Sequence, residues 1–257
     1  MNGETKFMHP DFADEKYEPR VQNGQTLLFE EVTIDDKNGE DDEKITHNRE
    51  NFLKRFEGHP YETIETIDYA YDLAKEAHRR QVRKTGERYF EHLRNVALIL
   101  IDECKIEDTN MIVASLLHDS GEDTPIFGNS TKPYAEWKQK SSFRLSKTFN
   151  PEVAEMVLTL TKTNNATDFE SKAEAHHFYI ENLKKASPKI RLIKMADRLH
   201  NLRTLAGSSP EFIEKQIKET REVYFPIFED LANSYTTEAP YMLGEMEKVI
   251  KQLSEKS

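Results

Sequence analysis

Three stretches of the chain hold side chains whose types and spacing could do chemistry. The first is Leu116-Leu117-His118-Asp119-Ser120-Gly121-Glu122-Asp123-Thr124. A His-Asp pair closes an apolar run, and two more carboxylates follow within a turn. On a helix His118 and Glu122 share a face, as do Asp119 and Asp123. Four polar groups at the edge of an apolar helix are costly unless they are solvated or bound. A divalent cation is one such partner, and imidazole with carboxylate suits manganese, iron or zinc. A helix end with its acids in water fits the same letters. The second stretch runs from Ile193 to Thr204. Asp197 and Asn201 share a face there, beside apolar Ile193, Ala196 and Leu199. Asp197 reads either as a cation ligand or as an ion-pair partner of Lys194 or Arg198. The third stretch, Ala77 to His92, gathers Arg79, Arg80, Arg83, Lys84 and Arg88 against Glu87 and Glu91. That local excess suits a polyphosphate held near a cation; a solvated connection between helices is the plainer reading. His78 reads as a structural histidine rather than a ligand.

The elements that must position these residues are helices. Ile64, Ile67, Tyr71, Ala74 and His78 recur at three and four residues within 61–80, which predicts one buried face. His92 to Cys104 is apolar from Val96 to Ile101, as a central helix would be. Asp108 or Thr109 is the predicted N-cap of a helix over 110–119. Asn150-Pro151-Glu152 spells a helix start, with a capping side chain, a proline at the first position and an acid in the first turn. Ser187-Pro188 repeats that grammar before 189–205, and Ser209-Pro210-Glu211 before a helix to about Asn233. Pro240 introduces a last helix. Within 124–148, Gly128-Asn129-Ser130 and Pro133 mark a loop before a short helix over 137–149. Gln25 to Ile34 is the one candidate strand, and Asp35 to Glu43 reads as a solvated or disordered run. The predicted fold is therefore all-α, a helical bundle with a small N-terminal β ornament. Residues 1–59 are predicted as an acidic, partly flexible extension and 60–257 as the helical domain.

Composition sets the outer bounds. The chain has 257 residues, 36 Lys plus Arg and 47 Asp plus Glu, a formal net charge of -11. Residues 1–57 hold 15 acidic and 8 basic residues, so -7 of that charge lies in the first segment. Length suits one domain or two, with enough chain for a core. Mean hydropathy is -0.77, and no stretch approaches the roughly 20 apolar residues of a spanning helix. No membrane and no nucleic-acid partner is expected, the latter because such binding feeds on positive charge. A single cysteine, Cys104, cannot form an internal disulfide, and the N-terminus lacks a secretory pattern, so a cytoplasmic location is expected.

Taken together and in order, the stretches resemble a known family. His92, then His118-Asp119, then Asp197 matches the ligand order of the HD-domain metal phosphohydrolases. Ala77-His78, Arg83-Lys84-Thr85-Gly86-Glu87-Arg88-Tyr89, Leu117-His118-Asp119, Glu122-Asp123-Thr124, Thr161-Lys162 and the run Ala196 to Leu205 resemble the hydrolase domain of the RelA/SpoT family. Glu219 to Pro226 resembles its closing helix. The resemblance covers roughly 60–230 and implies an HD-domain fold and a guanosine-3′,5′-bis(diphosphate) 3′-diphosphatase. Such an enzyme removes the 3′-pyrophosphate of ppGpp or pppGpp to leave GDP or GTP. It implies Mn2+ on His92, His118, Asp119 and Asp197, proton transfer by Glu122 and Asp123, and substrate contacts from Arg83, Lys84, Asn201 and Thr204. With about 50 residues after Leu205, a stand-alone small hydrolase is expected. The same metal chemistry on (p)ppApp, NADPH or another phosphorylated nucleotide is the alternative, and a catalytically silent nucleotide-binding module is the reading from another class. Three departures stand out: Leu93 where the family often has proline, Ser120-Gly121 where bulkier apolar residues are common, and a longer 124–148 segment.

Overall fold

The computed structural model describes residues 21–22, 25–26, 48–83, 86–123, 126–127, 133–162 and 168–255. The chain divides into two compact units, 1–57 and 58–257. In the first, β1 (Val21–Gln22) pairs antiparallel with β2 (Gln25–Thr26), Val21 opposite Thr26. The expected strand therefore begins at Gln25; its continuation to Ile34 and the run 35–43 lie outside the described residues. A short helix, α1 (48–53), passes into a 3-10 turn at Lys54–Phe56, where the Phe52 and Phe56 rings meet at 5.8 Å.

The second unit is helical, as its periodicity predicts. Its elements are α2 (Tyr61–Ala77), α3 (Tyr89–Leu98), α4 (Thr109–Leu117), α5 (Ser120–Asp123), α6 (Tyr134–Thr148), α7 (Pro151–Leu160), α8 (Lys172–Lys185), α9 (Pro188–Arg203), α10 (Pro210–Glu219), α11 (Phe225–Phe228) and α12 (Glu238–Ser254). Three of the four expected caps form. The carboxylate of Asp108 accepts from the Met111 N–H, Asn150 from Val153 and Ser209 from Phe212. Ser187 begins α9 without a side-chain cap bond.

Two helices form the centre. α4 has no charged residue and is buried all round, against α2, α3, α7 and α9. Met111, Ile112, Val113, Leu116 and Leu117 are each at most 1% exposed, and burial of each such side chain contributes about 1.5–3 kcal/mol. α9 is buried too, yet it carries five cations on its length; the first, Lys189, pairs with Asp108 and Glu152. Each has a partner. Arg191 donates to the Ile227 carbonyl and to Asp230, Lys194 to Asp197, and Arg203 to Glu103 and Glu245. Arg198 donates to Thr220, the Gln216 carbonyl and Glu219 while its guanidinium covers the Tyr224 ring at 4.6 Å. A buried charge without such a partner costs several kcal/mol.

The expected long helix to Asn233 is broken into pieces. α10 ends in a π turn, Thr220–Tyr224, before α11 and a 3-10 turn at Glu229–Asn233. Pro226 explains this: it lacks an N–H and its ring crowds the carbonyl four residues back, and a wider turn relieves both. α3 ends in a second π turn, Ile99–Glu103. Cys104 follows it, buried, its thiol pushed up to about 12 by burial, as a packed, unreactive cysteine should be.

Candidate metal centre

The basic stretch folds into a tight hairpin between α2 and α3. The Arg83 N–H donates to the Glu87 carbonyl at 2.8 Å and Val82 bridges Arg88. Gly86 sits at φ +85, where a side chain would be strained. The turn delivers Arg83 to the end of α9, where its guanidinium donates to Asn201 Oδ1 at 2.6 Å and lies 3.4 Å from His200 Nδ1. Tyr89, in the first turn of α3, stacks on His78 (ring centroids 4.9 Å apart) and donates its hydroxyl to Asp119 Oδ2 at 2.8 Å. His78 is buried and pairs with Gln81 at 2.6 Å, so it is the structural histidine its sequence context suggests.

Three chain segments then converge. His92 lies on α3, His118 follows α4, and Asp197 lies on α9, and one ligand atom from each lies within 4.8 Å of the others. His92 Nε2 is 3.2 Å from Asp197 Oδ1 and 3.7 Å from Asp119 Oδ2. His118 Nδ1 donates to the Ser115 carbonyl at 2.8 Å, which turns Nε2 toward the two carboxylates. That Nε2 is buried and has no hydrogen-bond partner; Asp119 Oδ2 at 3.2 Å and Asp197 Oδ1 at 3.8 Å lie beside it without the alignment of one. Imidazole nitrogens and carboxylate oxygens facing one another repel unless a proton or a metal cation lies between them. The cluster thus has the donor set of a divalent-cation site. Asp197 is held by two donors: Lys194 Nζ binds Oδ2 at 2.7 Å, and Asn201 Nδ2 binds Oδ1 at 2.7 Å. The sequence left Asp197 as ligand or as ion-pair partner; the geometry gives Oδ2 to Lys194 while Oδ1 faces His92.

The electrostatics follow from burial and these neighbours. Burial lowers His118, but the Asp119 and Asp197 charges outweigh it and push its pKa up to about 10. At His92 burial wins and the pKa falls. Burial raises Asp197, yet Lys194 and the histidines hold it well below the usual carboxylate range. Lys194 in turn stays charged despite complete burial, under the Asp197 carboxylate and over the Tyr179 and Tyr224 rings. His200 is driven down to about 3 by burial and by the charges of His92 and Arg83.

The other expected site residues are placed as follows. Asn201 lies within the cluster. Thr204 caps α9 and donates its hydroxyl to the His200 and Asn201 carbonyls at 3.1 Å, not to the cluster. Glu122 and Asp123 occupy the α5 turn directly after the His-Asp pair; their side chains, and all of Lys84, lie outside the described residues. Two residues that the sequence reading gave no role touch the cluster: Tyr89 through Asp119, and His200, whose Nδ1 is 2.8 Å from His92 Nδ1. His200 carried a signal, since it lies three residues from Asp197 on one helix.

The sequence profile of the HD domain matches residues 70–234, and the chain belongs to the HD-domain family. It is 35% identical over 175 residues to the guanosine-3′,5′-bis(diphosphate) 3′-pyrophosphohydrolase of Aquifex aeolicus, covering 68% of this chain and 23% of that protein. It is likewise 35% identical over 174 residues to the bifunctional (p)ppGpp synthase/hydrolase SpoT of Escherichia coli, covering 65% of this chain and 22% of that one. The chain thus spans less than a quarter of these curated relatives. A solved structure described as a metazoan ortholog of SpoT that hydrolyzes ppGpp superposes with a TM-score of 0.55 at 25% identity. That superposition covers 73% of this chain and 94% of the other. No described helix is long and apolar enough to cross a membrane.

Proposed function

We propose that this protein hydrolyses the 3′-pyrophosphate of ppGpp or pppGpp, giving GDP or GTP and pyrophosphate. The observation that carries this is the convergence of His92, His118 and Asp197 beneath the Arg83 guanidinium. A cation site beside an anion-pairing group is what a pyrophosphate substrate requires, and this convergence supports that reading. The relatives' stated activities supply the substrate class. His92, His118, Asp119 and Asp197 are the ligands of the divalent ion, for which we propose Mn2+. When bound, such an ion lowers the pKa of a coordinated water and draws charge from a phosphoryl oxygen.

The rest is done by the chain. Tyr89 and Lys194 each hold one carboxylate oxygen, fixing where Asp119 and Asp197 point. Arg83 pairs with the substrate's phosphate or stacks on its base, and Lys84, next to it in sequence, adds a second phosphate contact. Asn201 and Thr204 hydrogen-bond the nucleotide. Glu122 and Asp123, one turn beyond Asp119, orient the attacking water and take its proton. Water attacks the phosphorus joined to the ribose 3′-oxygen, that P–O bond breaks, and the 3′-oxygen takes a proton as pyrophosphate leaves; with water as nucleophile no covalent enzyme intermediate is needed. A cytoplasmic location accords with these roles.

None of these side chains selects guanine over adenine by type, so the experiment is a substrate panel. Purified protein supplied with Mn2+ is presented with ppGpp, pppGpp, ppApp and NADPH at equal concentration. GDP and pyrophosphate from ppGpp, abolished by EDTA, are expected. Much faster cleavage of ppApp or NADPH would move the substrate assignment while keeping the metal chemistry. No cleavage of any of them would leave a silent binding module.

A further inference from the structure

The metal centre needs His92 in one of its two neutral tautomers, and the chain contains a group that selects it. His92 Nδ1 and His200 Nδ1 are 2.8 Å apart and buried, with their rings tilted by 48°. Two imidazole nitrogens at that separation share one proton, so one donates and the other accepts. Arg83 decides which. Its NH1 lies 3.4 Å from the same His200 Nδ1, and a guanidinium can only donate. A proton on His200 Nδ1 would face that cation; a lone pair there is favoured by it. His200 Nδ1 is therefore the acceptor, and the proton belongs to His92 Nδ1. His92 Nε2 is left bare, and it is the atom that faces Asp197 Oδ1 at 3.2 Å and Asp119 Oδ2 at 3.7 Å.

We propose that His200 is a positioning residue of the metal centre, whose Nδ1 lone pair fixes the tautomer and ring orientation of His92. Ligand histidines commonly hand their second N–H to a carbonyl or carboxylate, and losing that partner typically weakens metal binding about 10- to 100-fold. His118 follows the common pattern, with the Ser115 carbonyl of its own helix as acceptor. His92 uses a neutral imidazole on another helix instead. One turn of α9 thus delivers both a ligand, Asp197, and the acceptor that orients a ligand on α3. His200 is 6% exposed and does not itself enter the His92, His118 and Asp197 cluster. A purely packing role would place a ring there without regard to which nitrogen meets which.

This inference rests on the metal centre proposed above, and the experiment separates the two. Mn2+ affinity is measured by calorimetry on the full chain, on His200→Ala and on His200→Asn, whose Oδ1 can stand near the lost Nδ1. In parallel, the unsubstituted chain labelled with 15N-histidine and loaded with Zn2+ is read by NMR. We expect His200→Ala to bind Mn2+ at least about tenfold more weakly. His200→Asn should recover most of the loss, and thermal midpoints in EDTA should be matched. In the NMR spectrum the shared proton should sit on His92 Nδ1, with a coupling across the hydrogen bond to His200 Nδ1. A proton on His200 Nδ1 overturns the inference, as does parental Mn2+ affinity in His200→Ala. If His200→Ala does not fold, the NMR reading of the unsubstituted chain decides. Absence of Mn2+ binding by the unsubstituted chain would instead strike the metal centre itself.

Discussion

At the scale of single residues the centre is a balance of charge. Asp119 and Asp197 are anionic, Lys194 is cationic, and His118 is raised to about 10. Below that value, metal-free His118 keeps its proton, and the cation must displace it to use Nε2. Metal loading at neutral pH should therefore release about one proton, and affinity should fall about tenfold for each unit of acidification. Calorimetry of Mn2+ binding in two buffers of different ionisation enthalpy measures the release; equal heats in both would show that His118 is not a ligand. The order His92, His118-Asp119, Asp197 was legible through the family resemblance, and the structure brings His92, His118 and Asp197 together. Their supports were less legible. Lys194 and ligand duty for Asp197 read as competing explanations, since spacing gives neighbours but not which oxygen each neighbour takes. Tyr89 and His200 sat inside the quoted motifs without roles, because a hydrogen bond from Tyr89 to Asp119 or from His92 to His200 crosses between helices.

At the scale of elements, the turn from α4 into α5 is constrained by the end of α7. A Cβ on Gly121 would lie 2.8 Å from Thr161 Oγ1 and 3.3 Å from its Cγ2, with Trp137 at 3.5 Å. The residue that departs from the family's bulkier choice is thus the one this packing permits. Gly121→Ala should cost about 1–3 kcal/mol through overpacking and lower turnover by shifting the turn that carries Glu122 and Asp123. Thr161→Ala should absorb most of that cost, so urea unfolding of the two single variants and the double should be non-additive; additive losses would mean that the contact does not constrain the turn. Caps made the helix starts at Asp108, Asn150 and Ser209 readable in advance. α8 escaped, because its apolar positions Ala175, Tyr179, Ile180 and Leu183 are sparse among charged residues. Its signature was the start Ser171-Lys172-Ala173-Glu174, where Ser171 caps the Glu174 N–H. The π turns at Ile99–Glu103 and Thr220–Tyr224 carry no pattern of their own, and the reading of one helix to Asn233 passed over Pro226, the signal for the second.

At the scale of the molecule, one ion would tie together α3, the end of α4 and α9, segments far apart in sequence. Binding only the folded state, it should stabilise by about 2.7 kcal/mol at a hundredfold excess over its dissociation constant, a rise of roughly 5–10 °C in a unit of this size. Differential scanning in Mn2+ against EDTA measures this, and Asp197→Ala should lose the difference. An unchanged midpoint in the unsubstituted chain would mean that the segments are not bridged. The overall all-α character was legible because periodicity and caps act locally; the crossing of α4 and α9 was not, since nothing local encodes which helices meet. That crossing also sets a schedule for biogenesis. Asp197 leaves the ribosome 78 residues after Asp119, a lag of roughly 4–16 s at ordinary elongation rates. Throughout that interval the nascent chain holds His92, His118 and Asp119 but neither Asp197 nor His200 to orient His92, and Lys194 emerges only in its last moments. Metal capture by this centre would thereby be a late step that waits for α9, and a stalled or truncated chain lacking α9 should remain metal-poor.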